Sequence, residues 1–172
     1  SIFLIDNSSS MQANELGETR LQEAKKQTIE LIKKMESSDV AMVIAFNDRA
    51  DVRQGYTGDK RKLQAAVESI VATNRTTDLT EALRTAAGLA NPGRTSQIAD
   101  INDVQVAEAV PANIYVLSDG CFAAPQVDLG NLKPTYIPIG LSDATNVAII
   151  AFTCQRNEEK PGQVEAFARI QN

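Results

Sequence analysis

Histidine is absent from this chain of 172 residues. That absence removes Ser-His-Asp and Cys-His catalysis, imidazole zinc ligation and histidine acid–base chemistry. Cysteine is nearly absent: Cys121 and Cys154 make neither a disulfide framework nor a metal motif. Both are expected to behave as small buried hydrophobes. No apolar run approaches the roughly 18 residues that cross a bilayer, so no direct membrane insertion is expected, and no signal-peptide pattern is visible. The chain opens on Ser1 directly inside an apolar strand, so it reads as a piece of a longer protein, and missing targeting signals say little about location. A basic face is missing as well. The net charge of −5 argues against sequence-independent nucleic-acid binding. The glycine patterns that cradle phosphates, G-x-G-x-x-G and G-x-x-x-x-G-K-[ST], are not present in the first loop.

What remains is an ordinary globular composition, 43% apolar and 23% charged, long enough for one domain with a sizeable core. Ile2-Phe3-Leu4-Ile5 is a short β-branched and aromatic run, the pattern of a buried strand. It ends in Asp6-Asn7-Ser8-Ser9-Ser10, which delivers a carboxylate and two hydroxyls at alternate positions to the carboxyl edge of a sheet. Oxygen-only ligation of that kind suits a hard divalent cation, Mg²⁺ or Mn²⁺. The competing reading of the same residues is a Ser/Asn/Asp turn.

Downstream, Thr19 to Gln22 fits a capping box, and apolar residues from Leu21 to Met35 fall at helical spacing, predicting a helix over 20–36. Val40 to Phe46 is a second near-continuous apolar run, expected to be a strand buried on both faces. Ala50 to Thr57 suggests an edge strand. Two further helices are expected, one capped by Asp59 around Leu63–Ile70, the other spanning Leu79–Ala87 and stopped at Asn91-Pro92-Gly93. Residues 94–111 are polar, with room for one short helix. Strands follow at Ile114–Leu117, Tyr136–Gly140 and Val147–Phe152. A strand-like tail at Gln163–Ile170 either pairs with residues 147–155 or begins a further domain. Alternating strands and helices imply right-handed crossovers and an α/β, doubly wound, mostly parallel sheet flanked by helices. Ligands of such sheets sit outside the carboxyl ends of the strands, where strand order reverses. Asp6 and Asp119 both fall at such ends.

Three loops carry the chemistry: Asp6-x-Ser8-x-Ser10, then Arg75-Thr76-Thr77-Asp78 immediately before a helix, then Leu117-Ser118-Asp119-Gly120. In that order they resemble a von Willebrand factor A (VWA) domain with a metal-ion-dependent adhesion site, over Ser1 to about Gly140. The resemblance implies Ser8 and Ser10 as direct metal ligands, Thr77 as a ligand when the site is engaged, and Asp6 and Asp119 binding directly or through water. It implies a Rossmann-like fold over 1–145, with 146–172 holding a final strand and an extra strand or the start of a following domain. The sequence departs from the family where small residues usually precede the threonine: Arg75 and Thr76 stand there. The helix after Asp119 is short or missing, and the closing helix gives way to a strand-rich end. Within the family the chain most resembles bacterial membrane-anchored proteins of the Bat (aerotolerance) type.

The function implied is a non-enzymatic, monomeric interaction module in which Mg²⁺ or Mn²⁺ captures an acidic side chain of a protein partner. It would be a soluble domain of a membrane-anchored bacterial protein. Two alternatives stand beside it. One is a structural VWA domain with a degenerate site. The other is a metal-dependent phosphohydrolase using Asp6 as nucleophile, which would need a second Asp where Ser8 stands. Thr77 has a humbler alternative too, as N-cap of the third helix, with Asp78 competing for that role.

Overall fold

The computed structural model describes residues 1–15, 17–90, 112–125, 127, 129, 132–141, 148–156, 160 and 162–171. The chain divides into two compact units, Ser1–Gly140 and Leu141–Asn172.

The first unit is built on a five-stranded sheet. Its strands are β1 (Ile2–Asp6), β4 (Ala41–Phe46), β5 (Ala50–Thr57), β6 (Asn113–Ser118) and β7 (Lys133–Pro138), in the order β5-β4-β1-β6-β7. A small ribbon of β2 (Asn14–Glu15) and β3 (Glu18–Thr19) stands apart from it. The pairs β1–β4, β1–β6 and β6–β7 are parallel, and β5 runs antiparallel at the edge. The two near-continuous apolar runs become the two strands with every residue buried, β1 and β4. Alternation sends Phe3, Ile5, Val43 and Ala45 to one face and Ile2, Leu4, Met42 and Ile44 to the other. Helix α1 (Arg20–Lys34) and helix α2 (Lys60–Glu68) cover the first face through Leu21, Ala24, Ile32, Leu63 and Val67. Helix α3 (Leu79–Ala90) covers the second through Leu79, Ala82, Leu83 and Ala86. The sheet is therefore doubly wound and mostly parallel, as its sequence pattern implies.

The helix starts follow local chemistry. The Thr19 hydroxyl accepts from the Gln22 amide while the Gln22 side chain accepts from the Thr19 amide, a complete capping box. The Asp59 carboxylate accepts from the amides of Arg61 and Lys62 at the start of α2. Helix α1 ends at Lys34, slightly short of the expected 36. The expected stop at residues 91–93 and the polar stretch 94–111 lie outside the described residues. Between β6 and β7 the described residues form turns and no helix.

The second unit is a two-stranded antiparallel hairpin, β8 (Ala148–Arg156) with β9 (Val164–Gln171). The tail pairs with the preceding strand, as one of its two expectations has it. Ile149, Phe152, Val164, Phe167 and Ile170 are exposed on it.

Leu4 is wholly buried, whereas Thr19 contributes only a cap. Leu4→Ala is expected to lower the unfolding free energy by about 2–5 kcal/mol, and Thr19→Ala by about 1 kcal/mol. Urea denaturation followed by far-ultraviolet circular dichroism checks both. Equal losses would contradict the placement of Leu4 at the core.

Candidate functional site

Strand order reverses at β1: α1 leads out to β4 on one side, and the chain later returns to β6 on the other. The crevice beyond the carboxyl ends of these strands is where an open α/β sheet presents ligand groups. Asp6 ends β1 there, and Ser118-Asp119 ends β6 beside it.

Asp6 is wholly buried. One carboxylate oxygen accepts the Ser8 amide at 2.9 Å, and the other accepts the Ser118 hydroxyl at 2.5 Å. Asp6 thereby clamps the backbone that follows it to the neighbouring strand. Ser9–Gln12 then form a single 3₁₀ turn, which brings the Ser8 and Ser10 hydroxyl oxygens within 3.2 Å of each other. Ser8 is buried, and Ser10 is half-exposed.

Asn7, between these ligand-type residues, is a fastening point that the sequence reading did not single out. Its amide donates to the Phe46 carbonyl at the end of β4. Its own carbonyl accepts both the amide and the hydroxyl of Thr73. Its side chain donates to the Val71 carbonyl and accepts from Asn47. The loop that carries Thr77 is thus pinned to the first loop, a connection strengthened by the Ser9 amide on the Arg75 carbonyl and the Asp78 amide on Asn47. Asp78 caps α3 by accepting the Thr80 amide at 2.9 Å, so the capping role does not fall to Thr77. Thr77 is half-buried in the loop. Among the described residues, no hydrogen bond joins its hydroxyl to Asp6, Ser8, Ser10 or Asp119. Arg75 turns away to pair with Asp48, a single guanidinium nitrogen donating to both carboxylate oxygens at 3.0 Å.

The Asp119 side chain is only 3% exposed. It accepts the Cys121 amide on one oxygen and the Arg20 guanidinium on the other, the latter at 2.7 Å. Arg20 is held in turn by Glu15 at 2.6 Å. Two glycines make room for this arrangement. Gly120 has φ +83, and a β-carbon there would meet the Tyr136 hydroxyl at 2.9 Å; that hydroxyl donates to the Ser118 carbonyl. Gly140 has φ +90, and a β-carbon there would meet Arg20 Nε at 2.9 Å. Both positions need glycine for conformation and for space.

Cys121 and Cys154 are exposed, not buried as expected. Cys121 sits in the turn after Asp119-Gly120, outside any strand, and Cys154 lies on a hairpin of only two strands. Partial desolvation at this turn raises the Cys121 thiol pKa, with Asp119 adding to the shift.

Electrostatically the site is short of positive charge around Asp6. Burial pushes its carboxyl above the ordinary value of 3.8, the Ser118 and Ser8 hydrogen bonds oppose the shift, and Asp119 adds to it. Among the described residues, no three His, Cys, Asp or Glu side chains cluster as a metal centre. The oxygen donors here are two carboxylates and several hydroxyls, a set in which neutral groups predominate.

The von Willebrand factor type A domain profile matches residues 1–121. No curated protein sequence matches the chain. Among solved structures, an aerotolerance-related membrane protein from Bacteroides fragilis aligns at TM-score 0.62 and 23% identity, covering 97% of this chain and 80% of the other. BatB from Bacteroides thetaiotaomicron aligns at 0.61 and 19% identity, covering 97% and 78%. Three N-terminal domains of the type V pilus tip protein Mfa5 from Porphyromonas gingivalis align at 0.52 and 21% identity, covering 69% and 19%. At these identities the structures show a shared fold.

Because the Asp6 pKa is raised in the folded protein, its contribution to stability is complete below the unfolded value and is lost as pH rises through the folded one. In metal-free buffer, Asp6→Asn should therefore gain on the wild type as pH climbs from acid to neutral. Urea midpoints measured across that range check this. A wild-type-to-variant difference that stays flat with pH would mean Asp6 is not penalised by burial.

Proposed function

The chain belongs to the von Willebrand factor type A domain family, and from that premise we propose that it is a non-enzymatic interaction module whose sheet edge binds Mg²⁺ or Mn²⁺ and captures an acidic side chain of a partner protein. The observation that carries this reading is the pairing of a wholly buried, incompletely neutralised Asp6 with two hydroxyl oxygens 3.2 Å apart. Adjacent ligands of an octahedral Mg²⁺ site, each 2.0–2.1 Å from the ion, lie about 3 Å apart. The Ser8–Ser10 spacing matches such an edge, so the residues present fit the ion.

Ser8 and Ser10 would hold the ion directly, Asp6 and Asp119 directly or through water, and Thr77 on engagement of a partner. A bound dication would supply a Lewis-acidic position open to a carboxylate oxygen. The chain's own groups prepare that position. Asp6 orients Ser8 through its amide and keeps its own negative charge out of solvent. Asn7 fixes the threonine loop opposite. Neutral hydroxyls dilute the negative charge, which leaves a dication short of electron density and receptive to an incoming carboxylate.

The phosphohydrolase reading loses support from the same geometry. The residue two positions on is Ser8 rather than the second Asp such an enzyme needs, and Asp6 has no exposed surface for a bulky phosphoester to approach. The structural reading, a domain that works without metal, is favoured by one contact: Arg20 neutralises Asp119 from within the chain. The Bacteroides fragilis relative is an aerotolerance-related membrane protein, which supports placing this domain beside a membrane anchor in its parent protein. None of the described helices is long and apolar enough to cross a bilayer.

Calorimetric titration of Mg²⁺ and Mn²⁺, with thermal melts alongside, tests the reading. At a free ion concentration about 100 times the dissociation constant, the wild type should gain about 2.7 kcal/mol of stability, and Asp6→Ala and Ser8→Ala should gain little. Metal-insensitive melts for all three proteins at millimolar ion would refute it.

A further inference from the structure

We infer that Arg20 is a built-in rival of the divalent cation at this site, lowering its affinity by engaging Asp119 from inside the protein. The inference rests on the metal-site reading above.

Arg20 is the first residue of α1, where the helix dipole disfavours a positive charge and favours an acidic one. The helix dipole and the cap therefore give no reason for a positive charge here. The structure gives one. Its guanidinium reaches the sheet edge, placing one nitrogen 2.7 Å from Asp119 and another 2.6 Å from Glu15. Its side chain is only 13% exposed, and those of Glu15 and Asp119 are 15% and 3% exposed. Gly140, in a conformation that favours glycine, leaves the space Arg20 Nε occupies. A surface arginine reaching for any available acid would not need such a cradle.

The consequence concerns Asp119. Of the two carboxylates at the sheet edge, Asp6 is bound by neutral donors and Asp119 by a cation. An incoming dication would find half of its negative charge already matched, and would meet a guanidinium one carboxylate away. Glu15 moderates that repulsion by balancing Arg20 from the other side. The three residues set how tightly the site holds its ion, and a partner that draws Arg20 or Glu15 away would change that grip.

The test uses four variants of the whole chain beside the wild type, Asp6→Ala serving as the control for the metal site, with folding checked by circular dichroism and Mn²⁺ binding measured by calorimetry and by electron paramagnetic resonance of free Mn²⁺. Arg20→Gln keeps an amide donor near Asp119 and removes the charge, so it should bind Mn²⁺ about five- to tenfold more tightly, the scale of a unit charge repelling a dication across a carboxylate in water. Glu15→Gln leaves Arg20 unbalanced and should bind about threefold more weakly. Arg20→Lys keeps the charge and should stay near the wild type. If Arg20 only held Asp119 in place, Arg20→Gln would weaken binding, as Glu15→Gln would. Weaker or unchanged binding by Arg20→Gln, with the wild type still binding, overturns the inference and leaves the metal site standing. Binding by Arg20→Gln where the wild type is silent upholds it. Silence from every variant, or undiminished binding by Asp6→Ala, overturns the metal-site reading and the inference with it.

Discussion

A carboxylate buried at the end of the central strand sets the terms for the rest of this domain. Asp6 has no exposed surface, and an ionised group taken from water needs donors in fixed positions. The Ser8 amide and the Ser118 hydroxyl meet that need, and each has a structural consequence. Bonding to Ser8 bends the chain out of β1 and into the turn that juxtaposes the Ser8 and Ser10 hydroxyls. Bonding to Ser118 locks the end of β1 to the end of β6, and the Gly120 amide donates to that same hydroxyl, which holds the following turn in place. These donors lower the cost of the buried charge without cancelling it, since desolvation remains the larger influence on Asp6. A region built this way holds its buried carboxylate in place while part of the burial cost stays uncompensated.

The two carboxylates at the edge are handled by opposite means. Asp119 has a guanidinium within hydrogen-bonding distance, itself balanced by Glu15, whereas Asp6 has only neutral donors. Equivalent-looking aspartates in two Asp-containing turns therefore differ in what a cation would gain from them. Partly buried ion pairs of this kind are weak evidence for stability and are better read as devices that fix geometry. Here the geometry fixed is that of Asp119, whose other oxygen accepts the Cys121 amide. With both of its oxygens committed, Asp119 is a stationary charge at the rim.

Legibility in the sequence follows how local each cause is. Strands β1 and β4 were visible because a fully buried strand must be apolar at every position, and both runs are. The starts of α1 and α2 were visible because a capping box and an Asp cap act within three residues. The Asp6, Ser8 and Ser10 pattern was visible because alternate residues at a strand end must share an edge. Asn7 was not, since its importance lies in bonds to Phe46, Val71 and Thr73, partners that only the strand order brings near. Arg20 was hidden for the same reason: Asp119 is 99 residues away along the chain. Yet a basic residue at the first position of a helix was a signal available in the sequence. The cysteines misled because burial was assigned from residue type, when one sits in a turn and the other on a two-stranded hairpin.

The departure at Arg75-Thr76 illustrates how a fold absorbs a bulky residue where small ones are usual. Close approach of this loop to the first is needed only by the backbone: the Arg75 carbonyl accepts the Ser9 amide at 2.9 Å. Its side chain is free to leave, and it leaves toward Asp48, in the turn between β4 and β5, where one guanidinium nitrogen donates to both carboxylate oxygens. The pair is exposed, so it contributes little stability. Its effect is directional, because a guanidinium committed to Asp48 is not folded over Ser8 and Ser10. An arginine that looks in the sequence like an obstruction is, in the folded chain, turned away from the first loop and paired with Asp48.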